Sequence, residues 1–258
     1  MTGPLCGYAL VTGASSGIGA AFSRRLAAEG RDLVLVARDV QRLEQTAAEL
    51  RERYLVQVEV LPADLATDEG CARVAARIAT DDEPVDTLIN NAGIGLYQAF
   101  GRAPLADEEQ LLDVNVRAVL RLTHAGVNAM RRRGRGEIIN ISSVAGFLPR
   151  GAAATYASAK AWVTSFTEGV ALRMAGSGVS VSVICPGFTH TEIHERTGTD
   201  MSHLPSWLWL DADRVVAEGL ADVRNGRLVS IPSRRYRAIV LASRLIPRPL
   251  LRKAMATR

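Results

Sequence analysis

Short apolar runs alternate along this chain with longer stretches whose apolar residues recur every three or four positions. That is the rhythm of strands joined by crossover helices. The runs predict strands over residues 8–12, 32–37, 56–61, 87–90, 137–141, 179–184 and 228–231, and the stretches between them predict helices near 17–29, 40–53, 69–79, 108–132, 155–175 and 212–225. The segment Leu33-Val34-Leu35-Val36 is apolar on both faces, as a strand must be when helices cover its sheet on both sides. The expectation is an α/β chain with a doubly wound, predominantly parallel seven-stranded sheet. Neither a repeat nor a low-complexity linker interrupts residues 1–258, so one domain is expected.

Two segments break the alternation. Residues 191–210 form a long connection that carries Trp207 and Trp209, and a connection of that length in a compact fold is commonly a substrate lid. Residues 227–258 form a basic tail. Of the chain's 31 basic residues nine fall there beside no acid, so residues 1–226 hold 22 against all 27 acids and carry −5. In the tail, Tyr236, Ile239, Val240 and Ser243 can share one helix face between 233 and 246, before Pro247 and Pro249 stop the helix. That face either covers the core or a subunit interface, or makes weak peripheral contact with an anionic membrane. Only Tyr236 interleaves an aromatic ring with the charges, so no nucleic-acid partner is expected.

With 48% hydrophobic and 22% charged residues, the 258-residue chain can bury a large core, which excludes wholesale disorder. No apolar run approaches the ~20 residues of a membrane span. Met1 to Leu10 has no basic region, so no signal peptide is expected. Cys6, Cys71 and Cys185 are scattered and odd in number, which suits a reducing cytosol better than a disulfide framework. His124, His190, His194 and His203 form no convincing metal-ligand pattern.

The chemistry-bearing residues cluster at strand ends. After the first strand comes Gly13-Ala14-Ser15-Ser16-Gly17-Ile18-Gly19, then a helical run. Gly13 can take a tight turn, Gly17 lets a ligand approach the backbone and Gly19 lets helix and strand pack closely, leaving the helix N-terminus to face a pyrophosphate. A glycine-rich turn without a ligand would look the same. The second strand ends Ala37-Arg38-Asp39. An acid at the tip would bind a ribose 2′-hydroxyl, whereas Arg38 can pair with a 2′-phosphate, provided Asp39 caps the next helix instead of neutralising it. Asn91-Ala92-Gly93 and Ser143 follow other strand ends. In Tyr156-Ala157-Ser158-Ala159-Lys160, the i, i+4 spacing puts a phenol beside one of only two lysines. A fixed ammonium favours the phenolate and makes the tyrosine usable as an acid or base. Asn115 sits among apolar neighbours in a helical stretch and must find partners if buried. Alone, each of these has a bland reading as turn, cap or solvated helix.

Together, Thr12-Gly13-x-x-x-Gly17-x-Gly19, Asp64, Asn90-Asn91-Ala92-Gly93, Asn115, Ser143, Tyr156-x-x-x-Lys160 and Pro186-Gly187 closely resemble the short-chain dehydrogenase/reductase family, in its conventional branch, over roughly residues 9–191. The resemblance implies a Rossmann-type fold and hydride transfer between a nicotinamide and a carbonyl or secondary alcohol. It implies that Tyr156 is the general acid/base, that Ser143 polarises the carbonyl, that Lys160 lowers the tyrosine pKa and holds the nicotinamide ribose, and that Asn115 positions a relay water. Gly13, Ser15, Ser16, Gly17, Ile18 and Gly19 would take the pyrophosphate side. Asp64 and Leu65 would meet the adenine, Asn91 to Gly93 the middle of the cofactor, and Pro186, Gly187, Thr189 and Thr191 its nicotinamide side. With Arg38, the expected cofactor is NADP(H) rather than NAD(H), and no metal is required. Tyr97, Phe147, Phe188, Trp207 and Trp209 lie where an apolar pocket could form, so the expected substrate is a hydrophobic or fatty ketone or a 3-oxoacyl compound. The expected assembly is a cytoplasmic homodimer or homotetramer. The rival expectation is a cofactor-sensing protein that binds without turnover.

Overall fold

The computed structural model describes residues 7–96, 98–148, 153–191, 205–247 and 249–250. Seven strands, β1 (Tyr8–Thr12), β2 (Leu33–Ala37), β3 (Val58–Pro62), β4 (Val85–Asn90), β5 (Gly136–Ile141), β6 (Val179–Ile184) and β7 (Val229–Ser230), form one sheet in the order β3-β2-β1-β4-β5-β6-β7. Every neighbouring pair is parallel. The order reverses between β1 and β4, and the crevice at such a reversal is where doubly wound sheets bind ligands. The helices are α1 (Gly17–Ala28), α2 (Val40–Tyr54), α3 (Asp68–Ala79), α4 (Leu105–Leu112), α5 (Ala118–Arg133), α6 (Ala154–Met174), α7 (Ala212–Arg224) and α8 (Arg234–Leu245).

Strand alternation divides the core in two. On one face Ala9, Val11 and Leu35 pack with Phe22 and Leu26 of α1, Leu43 of α2 and Val216 and Leu220 of α7. On the other, Leu10, Val34 and Val36 pack with Val74 and Ile78 of α3, Leu122 and Met130 of α5 and Met174 of α6. Each fully buried Leu, Ile or Phe contributes about 1.5–3 kcal/mol, so both layers are needed to hold the strand ends in line. Helix starts are fixed locally: Asp39, Thr67 and Asp211 accept the backbone N–H of Arg42, Gly70 and Arg214 at the heads of α2, α3 and α7.

Two expectations change, and a choice between alternatives is made for the tail. The helix expected over 108–132 starts at Leu105 and is interrupted by a wide π-type turn at Asp113–Arg117, which places the buried Asn115. The last strand is two residues long, not four, because it lies at the sheet edge and pairs only with β6. The tail helix face of Tyr236, Ile239, Val240 and Ser243 packs inward: Tyr236 and Val240 are buried and the other two half-buried. It therefore covers the core and cannot be the face turned to a membrane. Of the connection at 191–210, residues 192–204 lie outside the described residues, as do Tyr97, His194, His203 and Cys6.

Candidate active site

The carboxyl ends of the central strands open into a cavity of about 740 Å³. At the β1–α1 turn, Gly13 and Gly17 take φ of +66° and +54°, which side chains resist. A Cβ on Gly19 would lie 2.1 Å from the Gly13 carbonyl oxygen and 2.5 Å from Asn91 Nδ2, so this glycine lets α1 sit against the turn. Ser16 precedes α1 without a side-chain capping bond, and the first turn contains no acid. The N–H groups there are thus left to a ligand, and the helix end favours an anion. The turn is lashed to β4: Thr12 Oγ1 accepts the N–H of Asn91 and of Ala92, both at 2.9 Å, while Asn91 Nδ2 donates to the Thr12 carbonyl at 2.9 Å.

At the tip of β2, Arg38 is exposed and, among the described residues, makes no hydrogen bond or ion pair. Asp39 is engaged as the α2 cap, accepting from Arg42 N–H at 3.1 Å. Asp64 and Leu65 form the wall beyond Arg38, and Asp64 Oδ1 accepts from Ala66 N–H at 3.0 Å.

On the other side of the reversal, Lys160 is buried on α6 and donates from Nζ to the Ile141 carbonyl at the end of β5, at 3.0 Å. Its nitrogen lies 5.8 Å from the centre of the Tyr156 ring. Burial lowers the lysine pKa from 10.5 to about 8. Ser142 Oγ donates to the Lys160 carbonyl at 2.7 Å and ties the helix to the strand end. Ser143 Oγ accepts the N–H of Ala145 at 3.1 Å and reaches the Pro186 carbonyl at 3.5 Å. Fully buried Asn115 is matched twice by one residue, its Oδ1 accepting from Ile94 N–H at 2.9 Å and its Nδ2 donating to Ile94 O at 2.8 Å. A Cβ on Gly93 would lie 3.2 Å from Asn115 Oδ1 and 3.4 Å from Lys160 Nζ, so Gly93 leaves room between them.

Pro186, Gly187, Thr189 and Thr191 line the cavity after β6, and Thr191 crosses back over Gly17. Of the catalytic and cofactor residues expected from sequence, all but Gly19 and Asn115 line this cavity, and Asn115 reaches it through Ile94; of the aromatic residues expected at an apolar pocket, Phe188 lines it, whereas Phe147, Trp207 and Trp209 do not and Tyr97 lies outside the described residues. Sequence reasoning missed Ile94, Val114 and the Ile141 carbonyl, which act through backbone groups or packing, and the Ser142 hydroxyl, whose partner is the backbone of a distant helix. The glycine cradle, the bare helix N-terminus, the Arg38 cation and the buried ammonium together fit a phosphate-bearing dinucleotide.

A family model described as short chain dehydrogenase matches residues 7–202. Nodulation protein G of Rhizobium sp. (strain N33) is 38% identical over 188 residues, covering 73% of this chain and 75% of that protein. A short-chain dehydrogenase from Sphingobium yanoikuyae, solved in complex with NADPH, superposes with a TM-score of 0.85 at 38% identity, over 92% of this chain and 93% of that one. A bulky-bulky ketone specific alcohol dehydrogenase from Comamonas testosteroni gives 0.79 at 34% identity, over 92% of both chains.

Proposed function

The chain belongs to the short-chain dehydrogenase family, and from that premise we propose that it is an NADP(H)-dependent reductase of a hydrophobic ketone or 3-oxoacyl substrate. The observation that carries the reading is one cavity lined by Ser143, Tyr156 and Lys160, with Asn115 behind it and the glycine turn and Arg38 at its far end. The nicotinamide, when bound, supplies the hydride. The protein's part is to hold the carbonyl still and to move a proton. Ser143 and Tyr156 donate hydrogen bonds to the substrate oxygen, where negative charge develops, and Tyr156 gives up its phenolic proton there. Lys160 favours the phenolate that remains and would hold the nicotinamide ribose; Asn115 would position a water through which the proton is replaced.

Arg38 supports NADP(H) over NAD(H), and the NADPH-bound relative is consistent with that choice. Val144 and Phe188 line the cavity, with Phe147, Leu208 and Leu210 packed in the same cluster, an apolar surface suited to a bulky ketone such as the Comamonas relative is named for. Family members act on small molecules and are commonly oligomeric, and a homodimer or homotetramer in the cytoplasm is proposed here. Among the described residues no helix is long and apolar enough to cross a membrane. Weak contact with an anionic membrane is proposed instead for the outward face of α8, where Leu241 and Leu245 are exposed beside Arg234 and Arg235. The decisive experiment is NADPH oxidation with a panel of small and bulky ketones and 3-oxoacyl thioesters. Turnover of none of them, with NADPH still bound, would replace this reading with a binding protein.

A further inference from the structure

The polypeptide leaves the cavity after β6 and returns before α7. The described ends of that excursion are joined by backbone: Leu210 N–H donates to Phe188 O at 2.8 Å, and His190 N–H donates to Leu210 O at 3.0 Å. A third element grips both ends. The Tyr236 hydroxyl of α8 donates to the Leu208 carbonyl at 2.7 Å and accepts the Phe188 N–H at 3.1 Å. The residue is 4% exposed, and its ring lies so close over Gly187 that a Cβ there would come within 2.0 Å of Cε2. Beside it, Arg235 Nη1 donates to the Trp207 carbonyl at 2.8 Å.

The helix carrying these groups is itself pinned to the body. Arg237 pairs with buried Asp222 at 2.7 Å and donates from Nε to Ile231 O at 2.8 Å, while Ser230 Oγ donates to the same carboxylate at 2.8 Å. Tyr236 and Val240 then share one apolar cluster with Val144, Leu210 and Val215, which Phe147, Phe188 and Leu208 extend. A rigid element thus holds Phe188 and Leu208 at fixed positions relative to Ser143, whose neighbour Val144 belongs to that cluster.

We propose that Tyr236 is a positioning residue that fixes the substrate-facing wall of the cavity and thereby sets which ketone sizes are turned over. This rests on the reductase reading given above. The acting group is the hydroxyl, which satisfies a donor on one end of the excursion and an acceptor on the other. Without it, the Phe188 N–H and the Leu208 carbonyl lose their shared partner inside a largely apolar cluster, where unmet polar groups are costly.

The test is Tyr236→Phe, which keeps the ring over Gly187, with Gly187→Ala displacing the ring from the other side. The full-length variants are compared for hydrogen exchange at the Phe188 amide, NADPH affinity, and kcat and KM for a small and a bulky ketone. Tyr236→Phe should exchange the Phe188 amide at least tenfold faster. It should change the bulky-to-small ratio of kcat/KM at least tenfold, mainly through KM, and leave NADPH affinity within twofold. Gly187→Ala should shift the same ratio in the same direction. An unchanged size ratio in both variants overturns the proposal, even if exchange rises. If the unmodified protein turns over no ketone, the reductase reading fails first. Exchange at Phe188 then still reports whether the hydroxyl holds the wall.

Discussion

Replacing Arg38 with alanine isolates the group that is proposed to choose between the two nicotinamide dinucleotides. Its guanidinium is exposed at the tip of β2 and has no polar partner among the described residues, and Asp39 is occupied at the head of α2. No internal interaction has to be broken before it meets a 2′-phosphate, and none is lost on its removal. A charge-assisted hydrogen bond contributes about 1.5–3 kcal/mol. Exposure screens the charge, which places the effect toward the lower value, roughly a 10- to 30-fold weakening of NADPH binding. NADH offers no phosphate there and should change less than about twofold. Salt supplies a second signature. The Debye length falls from about 10 Å at 0.1 M to about 3 Å at 1 M, so raising salt should erode the unmodified protein's preference and leave the alanine variant nearly unaffected. Nucleotide fluorescence titrations at two salt concentrations measure all of this. Equal affinity of the unmodified protein for both nucleotides, or equal losses for both in the variant, would refute the assignment.

Tyr156→Phe should lower kcat by about 10²-fold or more while leaving NADPH affinity nearly unchanged, as expected when a positioned acid is removed; steady-state kinetics that stay near the unmodified rate would move the proton donor elsewhere. For Lys160, the folded pKa of about 8 lies below its ordinary 10.5, so the fold disfavours the charged form. That penalty, about 3 kcal/mol from the size of the shift, is fully present below pH 8 and disappears as pH rises from 8 to 10.5. Without nucleotide, the unmodified protein should therefore gain stability relative to Lys160→Met as pH rises from 8 to about 10, whatever offset the lost bond to the Ile141 carbonyl adds; a melting difference independent of pH would contradict the burial argument. Membrane contact should appear as co-sedimentation with anionic vesicles but not neutral ones, weakened by salt and by Leu241→Ser with Leu245→Ser. Failure to bind anionic vesicles at low salt removes that proposal.

The strand ends were readable in sequence because parallel, doubly covered strands are unbroken apolar runs: β1 and β6 fall at their expected bounds. The candidate site was readable for a related reason. Its residues follow within two positions of strand ends, at Gly13, Asn91, Ser143 and Pro186, or share one helical face, at Tyr156 and Lys160. The π-type turn around Asn115 was not readable, because the apolar spacing of residues 108–132 runs through it without interruption. The partner of Asn115 is the backbone of Ile94, and backbone groups leave no trace in residue type. The role of Tyr236 was hidden differently. Helical periodicity placed it on an apolar face but could not show that residues nearly fifty positions away would come under its ring.

That contact couples residues 187 and 236 sterically, so that neither can change size alone. With a ring atom only 2.0 Å from where a Cβ on residue 187 would stand, a side chain at 187 demands a smaller or relocated residue at 236. The loop after β6 and the C-terminal helix should therefore change together among descendants of this sequence. For anyone grafting specificity from a relative, the smallest transplantable cassette runs from Pro186 through the end of α8. A shorter loop exchange would set a foreign wall against a tyrosine shaped for the original one.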